Sequence, residues 1–175
     1  MAMTILNIGV LAIVAAFNAG IVTVRRASAM STASVLADQQ MEQFRALTYD
    51  QIALDSTALG AVNNTYKCDT ALGTGACPYS TGGEPTITCT SPIPATCDPW
   101  RSVTGPDHHQ YVVATYIIKE NPVASAEKVR RVVVVVRDGQ NTAKVLAREM
   151  STFDCLGAQP YTPTPTDWCA THGDG

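Results

Sequence analysis

Charge is missing from the start of this chain: no Asp, Glu, Lys or Arg precedes Arg25. Proline is missing from Met1 to Asp50, so nothing there forces a helix to break. Aromatic residues are scarce at 6%, and charged residues reach only 15%. The six cysteines contain no CxxC pair, which excludes zinc-ribbon and thioredoxin-like arrangements. No G-x-S-x-G elbow and no glycine-rich phosphate loop occurs, so serine hydrolase and nucleotide-binding signatures both fail. A basic excess is absent as well. The net charge of −3 and pI near 5.5 give no general argument for a nucleic-acid partner. No internal repeat is visible.

What the chain does have begins with residues 1–24, MAMTILNIGVLAIVAAFNAGIVTV, apolar enough to cross a bilayer as a helix of roughly 20 residues. Thr4, Asn7, Asn18 and Thr23 weaken the hydropathy, and Gly9 and Gly20 lower helix propensity. Small and polar residues of this kind are common where transmembrane helices pack on one another. A secretory signal peptide cut near Ala27-Ser28-Ala29 is the first rival, but it lacks a basic n-region, and Arg25-Arg26 intervene before that site. A buried helix of a soluble domain is the second, and the chain offers no partner helix for it. Residues 25–50 then continue as an amphipathic segment, with Met30, Ala33, Ala37, Met41, Phe44 and Leu47 recurring every three or four positions. The pattern predicts one helix from Ala2 to about Tyr49, roughly 70 Å long and membrane-embedded to Val24.

The remaining residues form a small head. From Asp55 to Pro106, within a loop region spanning 51–109, the composition shifts to Gly, Pro, Thr, Ser and Asn, with one short strand expected near Thr86 to Cys89. Residues 110–154 read as an antiparallel sheet. Gln110 to Lys119 and Lys128 to Arg137 are β-branched strands, Asp138-Gly139-Gln140-Asn141 is a turn, and Thr142 to Met150 returns. One sheet face should pack on the helix through Met30, Met41, Phe44 and Leu47, an α+β arrangement. Cys68, Cys77, Cys89, Cys97, Cys155 and Cys169 all lie in the head, and their even number favours disulfides and an oxidising, extracytoplasmic location. Nearest-neighbour pairing gives Cys68–Cys77, Cys89–Cys97 and Cys155–Cys169; the first two pairs can exchange, for example as Cys68–Cys89. The third closes a Pro/Thr-rich tail within 155–175, and a loop of about 15 residues gains on the order of 3 kcal/mol in the chain-entropy model. Arg25-Arg26 on the head side oppose an extracytoplasmic head under the positive-inside rule, and a basic segment upstream of Met1 would override them.

Ala2-Met3-Thr4-Ile5-Leu6 and Ile8-Gly9-Val10-Leu11 resemble the N-terminal segment of type IV minor pilins and type II secretion pseudopilins, which runs G-F-[ST]-L-[IV]-E-V-x-x-A-M-x-I-L-x-x-G. Arg25-Arg26-Ala27, Leu36-Ala37 and the run from Gln40 to Asp50 resemble the second half of that helix, which often ends E-x-[LF]-R-[AS]-L-x-Y-[DE]. The likeness covers about the first 50 residues. The glycine before the peptidase cut, the aromatic residue after it and the following glutamate are absent, so cleavage and N-methylation attach to no residue here. The expectation is that the chain starts inside the motif. The resemblance implies a structural subunit of a pilus or pseudopilus that partners other such subunits and the lipid bilayer. It implies a single-pass cytoplasmic-membrane protein with an extracytoplasmic head, and Gly9, Phe17 and the helix stripe as assembly residues. It also implies a disulfide-bounded C-terminal loop, which Cys155 and Cys169 would supply.

Chemistry has few candidates. Asp107-His108-His109, with His172 and Asp174 as distant partners, is the best, but adjacent histidines on a strand point to opposite faces and suit one metal badly. Lys128, Arg130, Arg131, Arg137, Lys144 and Arg148 read as the solvated face of a sheet in preference to a DNA-binding surface. The reading is therefore a non-enzyme with no cofactor, metal or small-molecule substrate. The competing class is a single-span anchor whose disulfide-rich head binds a ligand, and an in-frame basic leader upstream of Met1 in the coding DNA separates the two.

Overall fold

A computed structural model describes residues 2–70, 77, 84–120 and 129–154, with side chains in the first helix described from Val10 onward except at residue 12. The unbroken, proline-free start of the chain forms a single α-helix, α1, over Ala2–Arg45. It stops four residues earlier than the periodicity suggests. Leu47 N–H turns back to the Phe44 carbonyl at 3.1 Å, and Thr48 adopts extended backbone and opens a 3-10 turn at Tyr49–Gln51. Thr48 N–H also donates to Gln51 Oε1 at 3.4 Å, so the chain ends the helix with local side-chain help.

The head is built on a four-stranded antiparallel sheet of β3 (Trp100–Thr104), β4 (Gln110–Glu120), β5 (Val129–Asp138) and β6 (Val145–Asp154), in that spatial order. Ahead of it lie β1 (Leu54–Asp55), α2 (Ser56–Gly60), α3 (Asn64–Lys67) and β2 (Thr86–Ile87), with β1 and β2 pairing in parallel. The pairing of Tyr111 with Asp138, Val113 with Val136 and Ile117 with Val132 puts these residues on one face of the sheet. That face meets α1, whose Ala33, Ala37, Met41 and Phe44 join Val132, Val134 and Val136 in one buried cluster. Tyr116, Val133, Val135 and Arg137 occupy the opposite face, covered by the segment that carries α3. There Tyr66 stacks on Tyr116 at 4.2 Å between ring centroids and meets Trp100 edge-on. With both faces covered, β5 has no solvated side to alternate toward, which explains its unbroken run of five valines.

Several expectations change. β6 starts at Val145 because the turn is wider than four residues: Lys144 N–H donates to the Asn141 carbonyl at 2.9 Å and Asp138 N–H to the Lys144 carbonyl at 3.0 Å. A register shift between Val136 and Arg137 absorbs the difference. The sheet begins at Trp100, inside the stretch expected to be loop. Met30 does not join the core and is 50% exposed, because the buried face at this end of α1 follows the Ala33, Ala37, Met41 row. Leu47 is partly buried. Cys68–Cys77 and Cys89–Cys97 form as disulfides, whereas Cys155–Cys169, His172 and Asp174 lie outside the described residues. Among the described residues no helix is long and apolar enough to cross a membrane.

Candidate functional site: an exposed apolar helix and the cleft at its foot

The described side chains of α1 from Val10 to Val24 are exposed. Val10, Leu11, Ile13, Val14, Phe17, Ile21, Val22 and Val24 are all exposed, with Phe17 and Leu11 both at 69%. These eight cover about half of the helix circumference, and Ala15, Ala16, Ala19, Gly20 and Thr23 on the other half are exposed as well. A helix that is apolar all round is normally buried in protein or lipid. Ile13, Ala16, Phe17, Gly20, Ile21, Val24 and Arg25 border a shallow apolar concavity of about 670 Å³. A Cβ placed on Gly20 would meet nothing within 4 Å, so no contact within this chain requires glycine there. Gly9 lies within α1, among the residues whose side-chain surroundings are not described.

Where α1 reaches the head, a second cavity of about 360 Å³ opens between Arg25, Arg26, Ser28 and Ala29 of the helix and Asp107, His109, Asp138 and Lys144 of the sheet loops. Its head side is held by local bonds. Gly105 N–H and the His109 carbonyl pair at 2.9 Å, closing a tight turn in which His108 adopts φ 59°. A Cβ on Gly105 would lie 2.6 Å from Asp107 Oδ1 and 2.7 Å from a Tyr111 ring carbon, so this close approach needs glycine. Tyr111 donates its hydroxyl to Asp107 Oδ2 at 2.6 Å, and His109 N–H donates to Asp107 Oδ1 at 3.2 Å. The Tyr111 hydroxyl bond is the main reason the Asp107 carboxyl sits below its ordinary range; burial, followed by that carboxylate, pushes the Tyr111 phenol up to about 12. His109 Nε2 lies 3.1 Å from Asp138 Oδ1, and Lys144 Nζ lies 3.5 Å from Asp138 Oδ2. Burial would raise the Asp138 carboxyl, but the Gln140 N–H and the neighbouring His109 and Lys144 outweigh it and hold it low. Of the two sequence-adjacent histidines, only His109 lines the cleft.

This arrangement orients the His109 imidazole against the Asp138 carboxylate. Ser28 borders the same cleft without a hydrogen bond to His109, and Tyr111 keeps its proton. Among the described residues no group of three or more His, Cys, Asp or Glu side chains could hold a metal.

The basic hairpin residues are divided: the Lys144 and Arg148 side chains are 45% and 41% exposed, Arg130 and Arg137 turn inward, and Lys128 lies outside the described residues. Arg130 and Arg137 are buried at 3% and 4% exposure. Arg130 donates to the carbonyls of Tyr49 (2.6 Å) and Ile52 (2.8 Å), and its guanidinium lies 4.4 Å from the Tyr49 ring centre. In this way it ties the sheet to the chain just beyond α1. On the other face Arg137 and Arg148 both bond to the buried Asp69, which also accepts the Tyr116 hydroxyl at 3.0 Å. Charge alone marks these residues as exposed in the sequence. The one hint to the contrary is that Arg130 and Arg137 flank the valine run on a doubly covered strand. No family model, curated protein or solved structure matches this chain.

Proposed function

We propose that this chain is a non-catalytic, membrane-anchored structural subunit of the type IV minor pilin and type II secretion pseudopilin kind. Its N-terminal helix holds it in the cytoplasmic membrane with the head outside, and then packs laterally against equivalent helices in an extracytoplasmic filament. The observation that carries this reading is the exposure of Val10 to Val24 around the whole helix. In water, burial of that surface is worth roughly 25 cal/mol per Å² of apolar area. In a membrane or filament the close approach of small residues such as Gly20 takes over. Two disulfides in the head support an oxidising compartment.

The test is assembly in a complementation assay, scored as sheared-filament yield or secretion. Phe17→Asp, or a bulky residue at Gly9, should abolish assembly while the head keeps its fold and disulfides. His108→Ala with His109→Ala should leave assembly unchanged. Normal assembly of Phe17→Asp, or its loss in a folded double-histidine variant, would refute the reading.

A further inference from the structure

We infer that the cleft at the foot of α1 is a seat for the phosphodiester of an anionic phospholipid headgroup. This inference rests on the membrane reading above. Arg25 and Arg26 follow directly after Val24, so a helix embedded to Val24 places both guanidinium groups at headgroup level. Both line the cleft, and among the described residues neither has a hydrogen-bond or ion-pair partner. The acidic groups opposite are already engaged. Asp107 takes the Tyr111 hydroxyl and the His109 N–H. Asp138 takes His109, Lys144 and the Gln140 N–H at 3.0 Å. The remaining charge is thus the unpaired arginine pair, with Lys144 half-exposed across the cleft and able to turn toward an anion. Arginine's planar fork suits two oxygens of one phosphate.

The cleft differs from an ordinary interfacial arginine pair in one respect. Half of it comes from the head, far from the helix in sequence, so binding fixes the head's position against the membrane. A ligand spanning the two parts must feel Lys144 and His109 as well as the arginines.

The full chain, reconstituted from detergent, is compared in flotation with phosphatidylcholine vesicles and with vesicles containing phosphatidylglycerol, while the His109 imidazole signal is followed by NMR. Binding to neutral vesicles is expected in every variant, through the apolar helix. Preference for the anionic vesicles should fall about fivefold for each of Arg25→Gln and Arg26→Gln, the effect of one basic side chain near an anionic surface. Lys144→Gln should lower it further, and the His109 signal should move only with phosphatidylglycerol. Arg25→Lys with Arg26→Lys should keep the preference but weaken the His109 response. Failure to float with neutral vesicles refutes the membrane reading itself. Flotation with a preference indifferent to Lys144→Gln and a still His109 signal refutes the seat alone. An equal response to millimolar inorganic phosphate, with no vesicle present, would assign the cleft to a free anion and overturn the lipid.

Discussion

Replacing Asp69 with alanine would leave Arg137 buried without its counter-charge. The Asp69 and Arg137 side chains are 2% and 5% exposed, so water cannot reach the stranded guanidinium without opening the layer that carries Tyr66. Breaking one partner of a buried ion pair costs roughly 3–5 kcal/mol. Tyr116 would lose its 3.0 Å acceptor in the same change. Burial, the main cause that pushes the Tyr116 phenol up, survives the change, so the hydroxyl stays protonated and is left without that acceptor. Arg148 is 41% exposed and can rehydrate, so it adds little to the loss. The sum remains about 3–5 kcal/mol, a large share of the 5–15 kcal/mol that holds an ordinary domain together. For a chain of this size it lowers the melting temperature by about 10 °C. Urea melts followed by near-UV circular dichroism measure it directly. The double change Asp69→Leu with Arg137→Met should recover most of the loss, because it removes both charges together. A loss below about 1 kcal/mol for Asp69→Ala would refute the claim that this pair holds the α3 segment on the sheet.

Asp55 accepts N–H bonds from Cys89 (2.9 Å), Ala58 (2.8 Å) and Thr57 (3.0 Å), which hold its carboxyl below the ordinary aspartate range, the Cys89 bond most. Its stabilising effect is therefore complete above the unfolded pKa and is lost as pH falls through the lower folded one. Asp55→Ala should cost about 2–3 kcal/mol, an N-cap plus an unsatisfied N–H, and should flatten the stability loss below about pH 4 in acid titrations of folding. Glu149 is pushed the other way, by burial first and then by Asp38. A carboxyl with a raised folded pKa favours folding below its unfolded pKa and loses that contribution as pH rises through the folded one. Glu149→Gln should therefore raise the melting temperature near pH 7 and leave it unchanged near pH 3; equal effects at both would rule the carboxylate out as the cause.

Elements carried by short-range pattern were legible in the sequence. The proline-free start gave the helix, five consecutive valines gave β5, and the local spacing of Cys68, Cys77, Cys89 and Cys97 gave two pairings that the structure contains. β3 escaped because WRSVT is a short alternation inside a Pro/Gly-rich stretch, and its strand identity comes from pairing with β4. Arg130 and Arg137 escaped for a related reason. A charged residue reads as exposed until a partner is known, and the partners here are the carbonyls beyond α1 and Asp69, nearly 70 or more residues away. The cleft was hidden likewise: Asp107 and His109 were visible as a motif, but Asp138, Lys144 and the arginine pair reach them only through the fold.

The position of β5 between β4 and β6 also sets an order of events during synthesis. A five-valine run with its ladder groups unpaired has the composition of an aggregation-prone segment. Its last ladder partner, Asp154, leaves the ribosome about a hundred residues after Phe44 has completed the buried face of α1. At roughly 5–20 residues per second, that face waits on the order of 5–20 s for its sheet. A chaperone or membrane surface that shields Ala33 to Phe44 during this interval would raise the yield of folded head without altering its final stability.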